Sequence, residues 1–229
     1  MRIAAFIPAR GGSKGLPRKN LLDFLGSPMV AHAIQVARRA DIFDDIYVNT
    51  DDDEIARIAE AAGALVIRRP AELGTDTAEV DPLLCWTLDH IEQVRSAPVP
   101  DLGALLYCTA PLRQPEDIAA TVRLVTTGGF DCALTLVEDH SYLWSRNPDG
   151  SMRPTNYVPA KRAARQTEGW NQFIENKAVY VFRTEDIRRT GCRINGRIGA
   201  HLMPVMRSID VDSEADYRLA QVIARSGLV

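Results

Sequence analysis

Apolar residues fall into two rhythms along this chain. Short unbroken runs bounded by polar turn residues predict strands at 3–7, 45–50, 64–68 and 102–108, and later at 131–137, 177–182 and 200–205. Stretches in which apolar residues recur every three or four positions predict helices at 29–39, 55–59, 80–91, 116–126 and 215–224. Strands that alternate with helices from the first residue onward imply an open α/β fold, its sheet mainly parallel, doubly wound and joined by right-handed crossovers.

The rhythm breaks at 139–172. This stretch is polar, rich in Pro, Arg and Asn, and carries Tyr142, Trp144, Tyr157 and Trp170 without periodicity. A connection of that length inside one domain is usually functional, and four large aromatics are costly to leave in water. We read 1–229 as a single domain with 139–172 as a small insertion.

Composition narrows the partners. A formal net charge of −3 and 46% apolar residues describe a globular chain without a global basic field, so nucleic acid is not an expected partner. No apolar run is long enough for a membrane span, and the first residues are too short in apolar length for a signal peptide. Cys85, Cys108, Cys132 and Cys192 show no paired spacing, and the first three sit in apolar surroundings. These features lead us to expect a soluble, cytoplasmic protein.

The candidate chemistry starts right after the first predicted strand, in Arg10-Gly11-Gly12-Ser13-Lys14-Gly15-Leu16-Pro17-Arg18-Lys19-Asn20. Glycines let a backbone turn sharply and approach a ligand, and their N–H groups can face anionic oxygens. With four cations close by, at the carboxyl edge of a sheet, the loop suits a polyphosphate. It is neither a Walker A loop nor a dinucleotide fingerprint, because both spacings are absent. The acidic run Asp51–Glu54 precedes a predicted helix and is read as its cap in preference to a metal site. Asp210 and Asp212, two apart in a predicted strand, would project from one face. That arrangement suits Mg²⁺, with strand-end aspartates capping the last helix as the alternative.

The segment from Ile7 to Leu21 resembles the N-terminal signature of the acylneuraminate cytidylyltransferase (CMP-sialic acid synthetase) family. Three later segments match in order: Arg69-Pro70-Ala71-Glu72-Leu73 with Asp76-Thr77, then Thr109-Ala110-Pro111-Leu112-Arg113, then Arg207-Ser208-Ile209-Asp210-Val211-Asp212. The resemblance runs from residue 3 to about 220. It implies a Rossmann-like nucleotidyltransferase sheet and a homodimer built through 139–172. It further implies transfer of CMP from CTP to a hydroxyl of an acidic, sialic-acid-like nonulosonic sugar, with release of pyrophosphate. On this resemblance Arg10, Lys14 and Asp210 are the catalytic candidates. Gly11, Gly12, Ser13, Lys19, Asn20 and Arg69 would hold CTP, and Asp210 and Asp212 would hold a divalent cation, Mg²⁺.

The chain departs from the family around the acceptor. Tyr107 stands where the family has a sugar-contacting glutamine, and Glu79 replaces a small hydroxyl residue. The usual Tyr-Arg-x-Asn-Gly-Ala reads Phe173-Ile174-Glu175-Asn176-Lys177-Ala178. Arg165-Gln166 matches a family pair, so Tyr107, Arg165, Gln166 and Lys177 are the acceptor-pocket candidates. The nearest alternative is a cytidylyltransferase for another acid, an ulosonate or a phosphonate. A further alternative is a nucleotide-binding relative without catalysis. No histidine stands out as a general base.

Overall fold

The computed structural model describes residues 1–12, 15–75, 77–162 and 171–228. In chain order its strands and helices are β1 (Ile3–Pro8), β2 (Asp23–Phe24), β3 (Ser27–Pro28), α1 (Met29–Arg39), β4 (Asp45–Thr50), α2 (Asp53–Ala61), β5 (Leu65–Arg68), α3 (Val80–Gln93), β6 (Leu102–Leu105), α4 (Pro115–Thr126), β7 (Cys132–Glu138), β8 (Trp144–Arg146), β9 (Met152–Pro154), β10 (Phe173–Arg183), α5 (Thr184–Thr190), β11 (Ile198–Leu202) and α6 (Glu214–Ser226).

Strand β1 shows why the sheet is covered on both sides. Its side chains alternate in direction, and both sets are apolar and buried. Ala5 and Ile7 join a core with residues of α1, α2, α4 and α6. Ala4 and Phe6 join a second core with α3 and with Ile187 of α5. In that second core Phe6 stacks between Tyr47 and Phe182, at ring separations of 5.7 and 6.2 Å.

The seven-stranded sheet has the order β11-β7-β10-β6-β1-β4-β5. Strands β5, β4, β1 and β6 are parallel, as are β7 and β11, and β10 is antiparallel to both of its neighbours. The expected α/β, mainly parallel sheet is therefore present, and β10 is its one reversed strand. Helix caps follow the sequence logic. Asp52 accepts from the N–H groups of Glu54 and Ile55 at 2.8 and 3.0 Å, so this part of the acidic run does cap α2. Ser213 and Asp216 form a reciprocal capping box on α6.

Several boundaries differ from expectation. β6 ends at Leu105 and β10 begins at Phe173, four residues ahead of the predicted strand. Asp210 and Asp212 lie on no strand. The segment from Ser208 to Asp212 is irregular, and the Val211 N–H donates to the Thr109 carbonyl at 2.8 Å. An extended loop and a strand give the same alternation of apolar and acidic residues, which is why the pattern read as a strand. Within 139–172 the described part holds the β8–β9 hairpin, apart from the main sheet. There Tyr142 and Tyr157 pack at 4.5 Å, and Trp144 meets Tyr157 at 6.0 Å.

Candidate active site

The carboxyl ends of β1, β4 and β6 face one side of the sheet, and the chain leaves them through the glycine-rich loop, the Asp51–Asp53 turn and the Tyr107–Pro111 turn. Open α/β sheets put ligands at this edge. A cavity of about 490 Å³ lies here, and Arg10, Lys19, Arg69, Tyr107, Lys177 and Asp212 are among its lining residues. Asn20, Glu79 and Asp210 line it too. The structure thus brings together residues from positions 10 to 212 that the sequence singled out. Ser13, Lys14, Arg165 and Gln166, and Asp76 and Trp170, lie outside the described residues.

The loop after β1 is pinned from several directions. The Gly11 N–H donates to Asp51 Oδ1 at 3.0 Å, the Asn20 amide donates to the Arg10 carbonyl at 2.9 Å, and Arg10 Nη1 donates to the Thr75 carbonyl at 2.9 Å. Gly11 and the nearly buried Asn20 therefore spend these polar groups on bracing the loop. Asp51 thus braces the loop, a duty that its place in an acidic run before a helix does not announce. Arg69 is likewise framed by backbone, with Nη2 donating to the Asn49 carbonyl at 2.5 Å, and burial lowers its pKa. Such tethering holds guanidinium groups in place before a ligand arrives, the condition for electrostatic work on a phosphate.

Gly15 has a packing reason for being glycine. A Cβ there would lie 2.7 Å from the Asp212 carbonyl oxygen. Gly15→Ala must separate the loop from the Asp212 segment, and misplacement of this kind is expected to raise KM for the nucleotide by about tenfold. Steady-state kinetics with an unchanged urea midpoint is the check; an unaltered KM would mean that the contact does not set the site.

The acidic pair comes next. Asp210 Oδ2 accepts from Lys177 Nζ at 2.5 Å, and Asp212 accepts from Lys19 at 2.8 Å through Oδ1 and from Lys177 at 3.4 Å through Oδ2. The hydrogen bond from Lys19 is the main reason the Asp212 carboxyl sits below the usual carboxylate pKa. A depressed carboxyl stabilises the fold at pH values above its ordinary pKa, and that contribution fades as pH falls through the depressed value. Asp212 is well exposed, so the effect on stability is small.

Asp210 Oδ1 is buried and has no hydrogen-bond partner among the described residues. An orphaned, hard carboxylate oxygen beside a second carboxylate fits a divalent cation. Among the described residues no three His, Cys, Asp or Glu side chains cluster as a metal cage, so any such ion would take its remaining oxygens from ligand and water.

Lys177 reaches this pair because β10 is bulged. Its register with β7 shifts between Glu175 and Tyr180. Asn176, buried in the bulge, donates to Ser208 Oγ at 3.0 Å and to Met203 Sδ at 3.2 Å, while its Oδ1 accepts from Thr135 Oγ1 at 2.6 Å. These bonds tie the bulge to the segment that leads into Asp210. Bulges commonly re-aim side chains beside active sites.

Arg113 is fully buried and donates through Nη1 to the carbonyls of Ala178 and Tyr107 at 2.7 and 3.1 Å. Burial pulls its pKa down from 12.5 to about 10, so it stays charged at neutral pH. Burial pushes the Cys108 thiol up to about 12, which leaves it protonated and unreactive. All four cysteines are free.

Similarity to known proteins agrees with this geometry. A cytidylyltransferase family profile matches residues 4–130. The chain is 33% identical over 222 residues to N-acylneuraminate cytidylyltransferase B of Danio rerio, covering 95% of this chain and 50% of that protein. It is 27% identical to an Escherichia coli N-acylneuraminate cytidylyltransferase, over 97% of this chain and 52% of that one. The chain thus spans about half the length of these curated relatives. A Legionella pneumophila CMP-N,N'-diacetyllegionaminic acid synthase is 29% identical over 96% of this chain and 95% of its own length. Among solved structures, a CMP:2-keto-3-deoxy-manno-octonic acid synthetase complexed with CTP superposes with a TM-score of 0.68 at 19% identity, covering 99% of both chains. A 4-diphosphocytidyl-2C-methyl-D-erythritol synthase gives 0.69 at 12% identity, over 97% of this chain and 98% of that one. At these identities the two structures speak for the fold alone.

Proposed function

We propose that this chain, which belongs to the cytidylyltransferase family, transfers CMP from CTP to a hydroxyl of an acidic, sialic-acid-like nonulosonic sugar. The observation that carries the reading is the meeting of Arg10, Lys19 and Arg69 with the Asp210–Asp212 pair in one cavity at the carboxyl edge of the sheet. The similarity to N-acylneuraminate cytidylyltransferases and to a CMP-N,N'-diacetyllegionaminic acid synthase supports the sugar class.

In this reaction the acceptor hydroxyl oxygen bonds to the α-phosphorus of CTP as the bond from that phosphorus to the bridging oxygen breaks. Pyrophosphate leaves and the hydroxyl proton passes to solvent. Such chemistry needs in-line positioning and stabilisation of phosphoryl charge more than covalent help. Arg10 and Lys14 hold the triphosphate and stabilise the departing pyrophosphate. Gly12, Ser13 and Lys19 complete that cradle, Gly11 supports it by bracing the loop through its N–H to Asp51, and Asn20 and Arg69 border the nucleoside. Asp210 and Asp212 would hold Mg²⁺, which supplies polarisation of the phosphoryl oxygen when bound. Tyr107, Arg165, Gln166 and Lys177 form the acceptor side.

The reading takes 1–229 as one cytidylyltransferase domain, cytoplasmic and dimeric through 139–172. The exposed Leu143, Trp144, Met152 and Val158 on and around the β8–β9 hairpin favour a covered face. No helix among the described residues is long and apolar enough to cross a membrane.

A second reading keeps CTP and changes the acceptor to another ulosonate or a phosphonate. Tyr107 and Ile174, where the resembled family has glutamine and arginine, favour it. Pyrophosphate release with each nucleoside triphosphate against a panel of nonulosonates, 3-deoxy-octulosonate and simple phosphonates separates the two. CTP-specific release with a nonulosonate is expected. Release only with a small acid would move the assignment to the second reading, and silence across the panel would favour a binding-only relative.

A further inference from the structure

Lys177 has a backbone φ of 56°, in the left-handed region where glycine is the default and a side chain is strained. The strain is imposed by its surroundings. Asn176 and Ala178 on either side are buried and bonded, Asn176 to Thr135 and Ser208, and Ala178 through its carbonyl to Arg113. A strained residue held by a rigid frame at the rim of a cavity calls for a reason in what its side chain does.

The ammonium lies 2.5 Å from Asp210 Oδ2 and 3.4 Å from Asp212 Oδ2, the nearest oxygens of the two carboxylates. A cation bridging two carboxylates stands where a divalent ion would stand. Lys19 neutralises the other oxygen of Asp212 at 2.8 Å, so the pair already faces two ammonium groups. Any divalent ion must displace the first of them or share the carboxylates with it. Asp210 Oδ1, buried and without a hydrogen-bond partner among the described residues, is left as an oxygen still open to such an ion.

We infer that Lys177 is a resident counter-cation of the Asp210–Asp212 pair which competes with the divalent ion and keeps the site's affinity for that ion low. The inference rests on the reading of these two aspartates as cation ligands, and it concerns binding in the absence of substrate. Once displaced, the ammonium remains at the rim of the cavity that Tyr107 also lines, within reach of an anionic ligand.

The test is Mn²⁺ binding without nucleotide, followed by the electron paramagnetic resonance signal of free Mn²⁺. Wild type, Lys177→Met and the double variant Lys177→Met/Asp210→Asn are compared. Lys177→Met is expected to bind Mn²⁺ at least about tenfold more tightly than wild type, and the double variant to lose that gain, because removing one nearby positive charge acts directly on a dication. Lys177→Gly should show the same gain and a higher Tm than Lys177→Met, since glycine relieves the φ strain. Equal or weaker binding in Lys177→Met, absence of detectable binding in both proteins, or tight binding retained in the double variant would overturn the inference. No turnover is measured. A protein that behaves as expected here and yet releases no pyrophosphate would refute the proposed function and leave this inference intact.

Discussion

Asp210→Asn is expected to lower pyrophosphate release from CTP by roughly 10³-fold, within the range seen when one electrostatic contact to a reacting phosphoryl or acyl centre is removed. The substitution preserves size and removes charge. It should leave the fold nearly unchanged, because Asp210 Oδ2 is bonded to the Lys177 ammonium, Oδ1 has no partner among the described residues, and Lys177 keeps its contact with Asp212. Loss of activity with Tm within a few degrees of wild type is the predicted signature, read as kcat/KM beside a thermal melt. A fall of less than tenfold would remove Asp210 from the chemistry. A collapse in Tm would reassign it to the framework.

The second large effect falls on stability. Arg113→Ala is expected to cost at least about 3 kcal/mol, because it opens a cavity in place of a fully buried side chain and strips the Tyr107 and Ala178 carbonyls of their donor. Arg113→Met refills most of the volume without restoring the bonds, so the gap between the two variants separates packing from hydrogen bonding. Urea denaturation monitored by tryptophan fluorescence measures both. A loss below about 1 kcal/mol in the alanine variant would mean that water or a neighbour satisfies those carbonyls. Since Tyr107 lines the cavity and Ala178 follows Lys177, which lines it too, the surviving folded fraction should also bind nucleotide less well.

Much of the fold is legible in the sequence, and the reasons are local. The run from Ile3 to Ile7 and the amphipathic stretch that becomes α1 are dictated by burial period alone, and Asp52 marks a helix start by its chemistry. What escaped depends on distant neighbours. Nothing in the 173–183 pattern says that β10 runs antiparallel between β6 and β7, because both orientations bury the same faces. The Asp210 segment mimics a strand, yet its Val211 N–H bonds to Thr109 in a turn, and its aspartates are held by lysine side chains, with no strand ladder.

The site was legible in its residue types and less so in their duties. Gly11 and Asn20 are candidates for holding the nucleotide, and the structure adds a duty their sequence context does not announce, bracing the loop through Asp51 and the Arg10 carbonyl. Arg113 went unremarked as a buried residue because arginine is so seldom buried. Lys177 was noticed for its charge. Its left-handed backbone and its hold on both carboxylates became visible only once β10, β7 and the segment before α6 were seen together.

The position of β10 also governs how the protein is made. On the ribosome β1, β4, β5 and β6 emerge early and can pair, but the outer edge of β6, Leu102–Leu105, has no partner until residues 173–183 have been synthesised. At about 5–20 residues per second that is a delay of several seconds during which an apolar strand edge is open to another chain. Lys177 arrives within β10 itself and Asp210 and Asp212 later still, so a nascent chain stopped at the end of the family-matched region, residue 130, carries the glycine-rich loop but no acidic pair. Slower elongation through 106–172 would lengthen this exposure, and newly made chains would then depend more heavily on chaperones that shield sheet edges.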